Sequence, residues 1–134
     1  MSATEQVAGS RVDVAELDAD ELEAADWTAV CAIGRLTPDR GVAALVDGRA
    51  VAVFLLSDGS LHAIDNVDPI SGASILSRGI IGDVGGLPTL ASPMFKQRFD
   101  LISGRCIDAT DVAVTVHDVG VLDDIIHVRL QGSA

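Results

Sequence analysis

Short apolar stretches separated by turn-forming residues dominate the chain from Trp27 onward. Four early stretches have the length and composition of strands, namely 27–33, 42–46, 51–56 and 61–64. Asp47-Gly48 and Asp58-Gly59 separate the last three, and an Asp-Gly pair between apolar runs is a strong signal for a tight hairpin. The pattern therefore predicts a three-stranded antiparallel meander over residues 42–65.

The second half of the chain predicts more strands, interrupted by two loops. Glycine and proline break up residues 65–97, leaving brief strand signals at 80–81 and 87–91 and loops at 66–78 and 92–98. Strand patterns resume at 99–102, 112–116, 119–122 and 125–130, with turns at Ser103-Gly104 and Asp123-Asp124. The whole pattern predicts an all-β antiparallel sandwich or partly closed barrel with both loops inserted at one end.

Composition fits one folded domain preceded by an acidic extension. The 134 residues are 49% hydrophobic, which is ample for a core, and their net charge is −11. Residues 1–26 carry eight of the twenty acidic groups and a single basic residue, Arg11. We interpret 1–26 as an acidic leader, either mobile or a marginal helix over 14–25, followed by the domain at 27–130 and a tail at 131–134. The negative charge disfavours nucleic acid and anionic membrane surfaces as partners.

Localisation is constrained by three features of the sequence. The longest apolar run, 50–56, is far shorter than the stretch of about 20 residues that crosses a bilayer. The first residues carry neither the basic patch nor the apolar stretch of a signal peptide. Cys31 and Cys106 are too few for a disulfide framework, and they fit a reducing compartment as buried small groups or as a redox pair. We therefore expect a cytoplasmic protein.

Motifs for catalysis and metal binding are scarce. The chain has no Gly-x-Ser-x-Gly elbow, no Ser-x-x-Lys pair and no phosphate loop. Its cysteines and histidines form no short-spaced ligand pair and lie at Cys31, His62, Cys106, His117 and His127. Asp65, Asp68 and Asp83 could bind a cation or cap turns. The residues themselves predict no catalytic group and no metal site.

The two loops and the segments around them resemble the Rieske pattern. Asp58-Gly-Ser-Leu-His-Ala-Ile-Asp-Asn66 leads into Val67-Asp-Pro-Ile70, where that family has a hairpin followed by a Cys-Pro-His loop. Ser92-Pro-Met-Phe95, followed by Phe99-Asp-Leu-Ile-Ser-Gly-Arg105, is similar to the family's second box, Cys-Pro-x-His. The resemblance covers about residues 27–130 and implies a Rieske-like sandwich.

The same resemblance implies where cluster ligands would lie. It places them at Asp68, Ile70, Ser92 and Phe95. None of these side chains can replace a thiolate or an imidazole in a two-iron, two-sulfur site. The resemblance therefore implies a Rieske-like domain without a cofactor of its own.

A narrower resemblance is carried by three longer stretches, 66–73, 76–83 and 91–101. They are similar to the small subunit of the bacterial NAD(P)H-dependent assimilatory nitrite reductase, a group that keeps the Rieske fold without the cluster. This implies a partner, the large subunit, which carries FAD, an iron–sulfur centre and sirohaem and reduces nitrite to ammonium in nitrate assimilation. The chain would then be a non-catalytic subunit of this oxidoreductase that docks on the large subunit and stabilises or positions it. A Rieske-type ferredoxin that transfers electrons and a free-standing interaction module are the alternatives.

The loop tips are the candidate docking region. Ile70, Met94 and Phe95 are expected to pack together as an apolar plug that replaces the metal as the link between the loops. Basic residues surround the same tips, and we interpret them either as a docking patch or as ordinary solvated loop charge. The residues predicted to dock are Arg78, Met94, Lys96 and Arg98.

Overall fold

The computed structural model describes residues 16–18, 20 and 26–132, and antiparallel strands are the main regular structure in them. The strands are β1 (Trp27–Ala32), β2 (Gly41–Val46), β3 (Arg49–Leu55), β4 (Leu61–Asp65), β5 (Ile80–Val84), β6 (Leu87–Ala91), β7 (Arg98–Asp100), β8 (Val116–Leu122) and β9 (Ile125–Arg129). One sheet has the order β1-β9-β8-β4-β3-β2, and the second has the order β5-β6-β7. The predicted all-β antiparallel architecture is confirmed. No helix in this part of the chain is long and apolar enough to cross a membrane.

The predicted meander and its turns are present. Strands β2, β3 and β4 pair in sequence order, and Asp47 and Gly48 adopt φ angles of 48° and 83° between them. Asp123 and Asp124 join β8 to β9 with φ angles of 52° and 65°. Positive φ at both central residues matches the twist of paired strands, and Asp and Gly tolerate this conformation better than most residues.

Strand β3 lies between two clusters of the core. Val51 and Val53 pack into a cluster formed by strands of the six-stranded sheet, whereas Ala52 and Phe54 face the other way. The second cluster includes Leu90 of the three-stranded sheet, so it joins the two sheets. All of these β3 residues are completely buried. Burial on both faces explains why this segment is a continuous apolar run rather than an alternating pattern.

Residues 112–115 do not form the predicted strand. The Cys106 N–H donates to the Val112 carbonyl at 2.9 Å, and the Val114 N–H donates to the Gly104 carbonyl at 2.8 Å. These residues therefore brace the turn that follows β7, and β8 runs unbroken from Val116 to Leu122. The prediction of a strand over 112–116 was wrong because side-chain alternation does not show which segment supplies the backbone hydrogen bonds.

Side chains of two strands hydrogen-bond the backbone at the end of the domain. The Gln131 N–H donates to His117 Nδ1 at 2.9 Å, so the ring proton lies on Nε2, 2.7 Å from Asp65 Oδ1. Arg49 donates to both oxygens of Asp65, at 2.9 and 3.2 Å, and to the Gln131 carbonyl at 3.0 Å. Residue 131 is therefore fixed against β3, β4 and β8.

One stretch of the leader contacts the sheet. Glu16 forms a parallel bridge with Val121, and the Leu17 N–H donates to the Val121 carbonyl at 2.9 Å. Apart from 16–18 and 20, the helix predicted over 14–25 lies outside the described residues, as do residues 133–134 of the tail.

We predict that Gly41→Ala destabilises the domain by about 2–3 kcal/mol, the range typical of an overpacked core. A Cβ at this position would overlap the Ser77 carbonyl and the Phe54 ring. Gly34→Ala is the matched control because no atom lies within 4 Å of its Cβ position, and we expect a change within about 0.5 kcal/mol. Urea denaturation measures both. Equal effects would contradict the close approach of β2 to residue 77.

Candidate interaction site

Two loops project from one end of the molecule, and we call them finger 1 (residues 66–79) and finger 2 (residues 92–97). Asn66 organises finger 1 from a buried position. Its carbonyl accepts the N–H groups of Ile75 and Leu76, and its side-chain oxygen accepts the Ser77 N–H at 2.7 Å. Its amide nitrogen donates to Ser74 Oγ at 2.8 Å. One asparagine thus closes the loop and supports the 3₁₀ turn Leu76–Arg78.

Finger 2 is a tight backbone loop. The Ser92 N–H donates to the Gln97 carbonyl at 2.8 Å, and the Lys96 N–H donates to the Ser92 carbonyl at 2.9 Å. Lys96 has a φ of 65°, in the left-handed region. This conformation is uncommon for a lysine and is held by the loop closure on both sides.

A hydrogen bond between buried side chains joins the fingers. Ser92 Oγ donates to Asp68 Oδ2 at 2.6 Å, and both residues are almost completely buried. The other carboxylate oxygen accepts the Ile70 N–H at 2.8 Å and, more weakly, the Ser71 N–H at 3.4 Å. Asp68 and Ser92 are the two residues that the Rieske resemblance matches to cysteine positions. A polar contact therefore links the loops at the point where metal–thiolate bonds would otherwise do so.

The surroundings of Asp68 favour the ionised carboxylate. Burial is the largest single influence and on its own would raise the pKa of Asp68. Hydrogen bonds from the Ser92 hydroxyl and from the Ile70 and Ser71 N–H groups together outweigh burial, so the pKa lies below its usual value. The link between the fingers is therefore charge-assisted at neutral pH.

The four positions of the Rieske pattern do not fit an iron–sulfur cluster. Asp68 and Ser92 are bonded to each other, and Ile70 and Phe95 have hydrocarbon side chains without a donor atom. A two-iron, two-sulfur cluster of this type needs thiolate and imidazole ligands. No group of three or more His, Cys, Asp or Glu residues in the described ranges is arranged to hold a metal ion. We derive no electron-transfer step through these fingers.

The apolar residues at the tips do not form the predicted plug. Ile70, Met94 and Phe95 are 39%, 52% and 53% exposed, and Val67 beside them is 41% exposed. The prediction of a buried plug was wrong because the Asp68–Ser92 bond closes the fingers and leaves the apolar side chains facing outward. The result is an apolar surface on loops that are fixed from within.

The basic residues predicted to dock have different environments. Arg98 forms a bidentate ion pair with Asp108, at 3.0 and 2.7 Å, and this hydrogen bonding holds the pKa of Asp108 at about 2. Lys96 is exposed at the tip of finger 2, directly after Phe95. Arg78 lies at the base of finger 1 rather than at its tip. The Arg98 guanidinium is therefore already paired with a carboxylate of its own chain, whereas Lys96 and Arg78 are exposed.

A second polar cluster resembles a catalytic group but has the wrong proton arrangement. Ser60 Oγ lies 2.6 Å from Asp58 Oδ1 and 3.0 Å from His62 Nε2. The single hydroxyl proton of Ser60 goes to the closer, charged carboxylate of Asp58, so it is not available to His62. Burial lowers the pKa of His62. A nucleophilic serine instead gives its hydroxyl proton to the histidine that acts as its base.

The other loop carboxylates considered as cation ligands have separate partners. Asp65 bonds Arg49 and His117, and Asp83 Oδ1 accepts the Gly86 N–H at 2.7 Å. Sequence reasoning had not paired Asp68 with Ser92 and had not identified Asn66 as the centre of finger 1. The signal for the first was that the Rieske resemblance matches two small polar residues, Asp68 and Ser92, to cysteine positions; it gave none for Asn66.

We predict that Ser92→Ala destabilises the protein by about 1.5–3 kcal/mol, the range for a hydrogen bond to a charged group. The substitution removes the hydroxyl that donates to Asp68 Oδ2 and leaves the buried carboxylate with the donors of finger 1. The control is Ser103→Ala, since Ser103 Oγ accepts one exposed bond at 3.2 Å, and we expect a change within about 0.5 kcal/mol. Urea midpoints measure both. Equal losses would show that the Asp68–Ser92 bond does not stabilise the fold.

The difference between wild type and Ser92→Ala should depend on pH. Because the folded-state pKa of Asp68 is depressed, the stability it contributes is present above the unfolded value of about 3.9. It is lost as the pH falls through the folded value. We expect the two urea midpoints to converge as the pH is lowered below about 3.9, because a neutral hydrogen bond is weaker than a charge-assisted one. A constant difference across that range would contradict an ionised Asp68.

Known proteins with similar sequences and folds share this architecture. A family profile described as the Rieske-like [2Fe-2S] domain matches residues 26–129. A nitrite reductase (NADH) small subunit from Salmonella typhimurium is 38% identical over 104 residues, which cover 77% of this chain and 96% of the relative. A crystal structure from Mycobacterium tuberculosis, described as an NADH-dependent nitrite reductase small subunit, has 48% identity and a TM-score of 0.75, covering 79% of this chain and 96% of the other.

A further relative contains a similar domain within a longer chain. The large subunit of nitrite reductase [NAD(P)H] from Klebsiella oxytoca is 39% identical over 95 residues, which are 71% of this chain but 10% of that relative. The profile and the small-subunit relatives cover the domain described above almost completely. The chain therefore belongs to the Rieske-like domain family and, within it, to the small subunits of NADH-dependent nitrite reductase.

Proposed function

We propose that this chain is the non-catalytic small subunit of a nitrite reductase used in nitrate assimilation, and that it docks on the large subunit through the finger tips. The observation that carries the proposal is the exposed apolar surface of Val67, Ile70, Met94 and Phe95 on two loops joined from within. The chain's part in the reaction is to stabilise or position the large subunit.

The composition of the tips suits a protein interface. Phe and Met are enriched in the centres of interfaces, and a cationic residue such as Lys96 stands at the edge. The Asp68–Ser92 bond and the closure of finger 2 order the backbone before any partner arrives. A preordered surface loses less conformational entropy on binding, so more of the contact energy is available for affinity.

The relative from Klebsiella oxytoca supports a large-subunit partner. In that protein a domain similar to this chain is part of the large subunit itself. A covalent link keeps two domains at high effective concentration, and a separate chain needs a binding surface to achieve the same association. We infer that the finger tips supply that surface here.

The absence of cluster donors at the fingers favours this role over that of an electron carrier. Asp68 and Ser92 are occupied by each other, and Ile70 and Phe95 cannot coordinate iron. The redox chemistry of nitrite reduction to ammonium is therefore assigned to the large subunit, whose expected cofactors are FAD, an iron–sulfur centre and sirohaem.

We predict that the double substitution Met94→Ala and Phe95→Ala weakens binding to the purified large subunit by about tenfold or more, as for central interface residues. The folded state should persist because both side chains are exposed. The matched control is Leu45→Ala with Ile102→Ala, two exposed apolar residues outside the fingers, with a change in Kd below about twofold. Biolayer interferometry measures all three proteins. Equal weakening in both variants would place the interface elsewhere.

Co-expression tests the role itself. The large subunit, produced with and without this chain, should differ in nitrite-dependent oxidation of NAD(P)H or in thermal stability. If the large subunit alone is equally active and equally stable, the proposed role is wrong even where binding is measurable.

A further inference from the structure

A groove of about 570 Å³ lies beside the base of finger 1. It is lined by the start of β2, by Arg40 just before that strand, and by residues 77–81, which include the end of finger 1 and the start of β5. The predicted docking residue Arg78 lines this groove, and Arg40 faces it from the other side. Neither the apolar tips nor the Asp68–Ser92 bond belongs to it.

The two guanidinium groups of the groove are free of carboxylate partners. Among the described residues, neither Arg40 nor Arg78 makes a side-chain hydrogen bond or an ion pair. Asp39 also lines the groove, but its carboxylate accepts the N–H of Ser57 at 2.9 Å and the Ser57 hydroxyl. Arg49, Arg98 and Arg129, in contrast, are each paired with an aspartate. The groove therefore keeps positive charge in a chain whose net charge is −11.

The walls of the groove combine a rigid backbone with an exposed apolar side chain. Gly41 lies so close to the Ser77 carbonyl that no Cβ fits between them. Ile80 is 73% exposed although it begins a paired strand. An apolar wall beside two guanidinium groups matches a segment that presents a carboxylate next to an apolar residue.

The groove is continuous with the fingers through the backbone. Ile80 pairs with Ala91, the residue directly before Ser92 of finger 2. The 3₁₀ turn that contains Arg78 is anchored at its start, where the Leu76 N–H donates to the Asn66 carbonyl at 3.0 Å. The groove and both fingers therefore start from directly connected parts of the backbone.

We propose that the groove between Arg40 and Arg78 binds a carboxylate-bearing segment of the large subunit, and so extends the docking surface of the finger tips. The inference rests on the proposed function and adds the chemistry of the partner: an acidic side chain followed or preceded by an apolar one. Two guanidinium groups bind a carboxylate through paired N–H donors, which gives the complex a fixed orientation as well as affinity.

The experiment compares two variants of equal charge. Arg40→Glu with Arg78→Glu reverses the groove, and Arg35→Glu with Arg105→Glu makes the same change in net charge at exposed arginines that do not line the groove. Full-length proteins are tested against the purified large subunit by biolayer interferometry at about 50 to 300 mM KCl, a range that changes screening substantially. Circular dichroism checks that each variant is folded.

We expect the groove variant to weaken binding by about thirtyfold or more at the lowest salt, whereas the control changes it by less than about threefold. The milder Arg40→Gln with Arg78→Gln should weaken binding less and should reduce the dependence on salt. If wild type binds and the groove variant equals the control, the groove proposal is overturned while the proposed docking role stands. If wild type does not bind, both fail. Self-association of the chain that the groove variant abolishes would identify a second copy as the occupant and would also overturn the proposal.

Discussion

Two loops of irregular backbone can hold a defined shape only if something joins them, and here that is one hydrogen bond from a serine to a buried carboxylate. The bond of 2.6 Å between Ser92 and Asp68 crosses 24 residues of sequence. A buried carboxylate is costly unless its oxygens accept hydrogen bonds, and besides the Ser92 hydroxyl two N–H groups of finger 1 donate to it. The position of finger 2 against finger 1, and with it the arrangement of the exposed tips, depends on this contact.

Much of the fold could be predicted from the sequence because the turn residues and the strand pairing favour the same hairpins. Asp-Gly and Asp-Asp turns predicted the hairpins, and strands β2, β3 and β4 follow within a few residues of the predicted bounds. The weak strand signals at 80–81 and 87–91 belong to a hairpin turned by Gly85-Gly86, which glycine-rich composition had partly concealed. Residues 112–115 were wrongly predicted as a strand because their side chains alternate between apolar and polar. Their backbone instead hydrogen-bonds the turn that follows β7.

The candidate interaction site was less predictable from the sequence than the fold, for electrostatic as well as geometric reasons. Sequence resemblance located the fingers but could not show that two small polar residues would bond to each other and turn the apolar tips outward. Pairing of charges is equally hidden: Arg98 is next to the tips in sequence yet is occupied by Asp108, whereas Arg40 is distant in sequence and open. Whether a guanidinium is available depends on which carboxylates the fold brings within 4 Å, a three-dimensional property.

The network of Arg49, Asp65, His117 and Gln131 has a geometric consequence for how this domain can be tethered. Asp65 directly precedes Asn66, the root of finger 1, and Arg49 holds the carbonyls of residues 131 and 132 at the same place. Residues 131 and 132 therefore lie beside the root of finger 1. A linker attached there would need little length to deliver the domain to a binding surface on the same polypeptide, and short linkers give the highest local concentrations. Permanent fusion and reversible assembly are therefore both compatible with this one architecture.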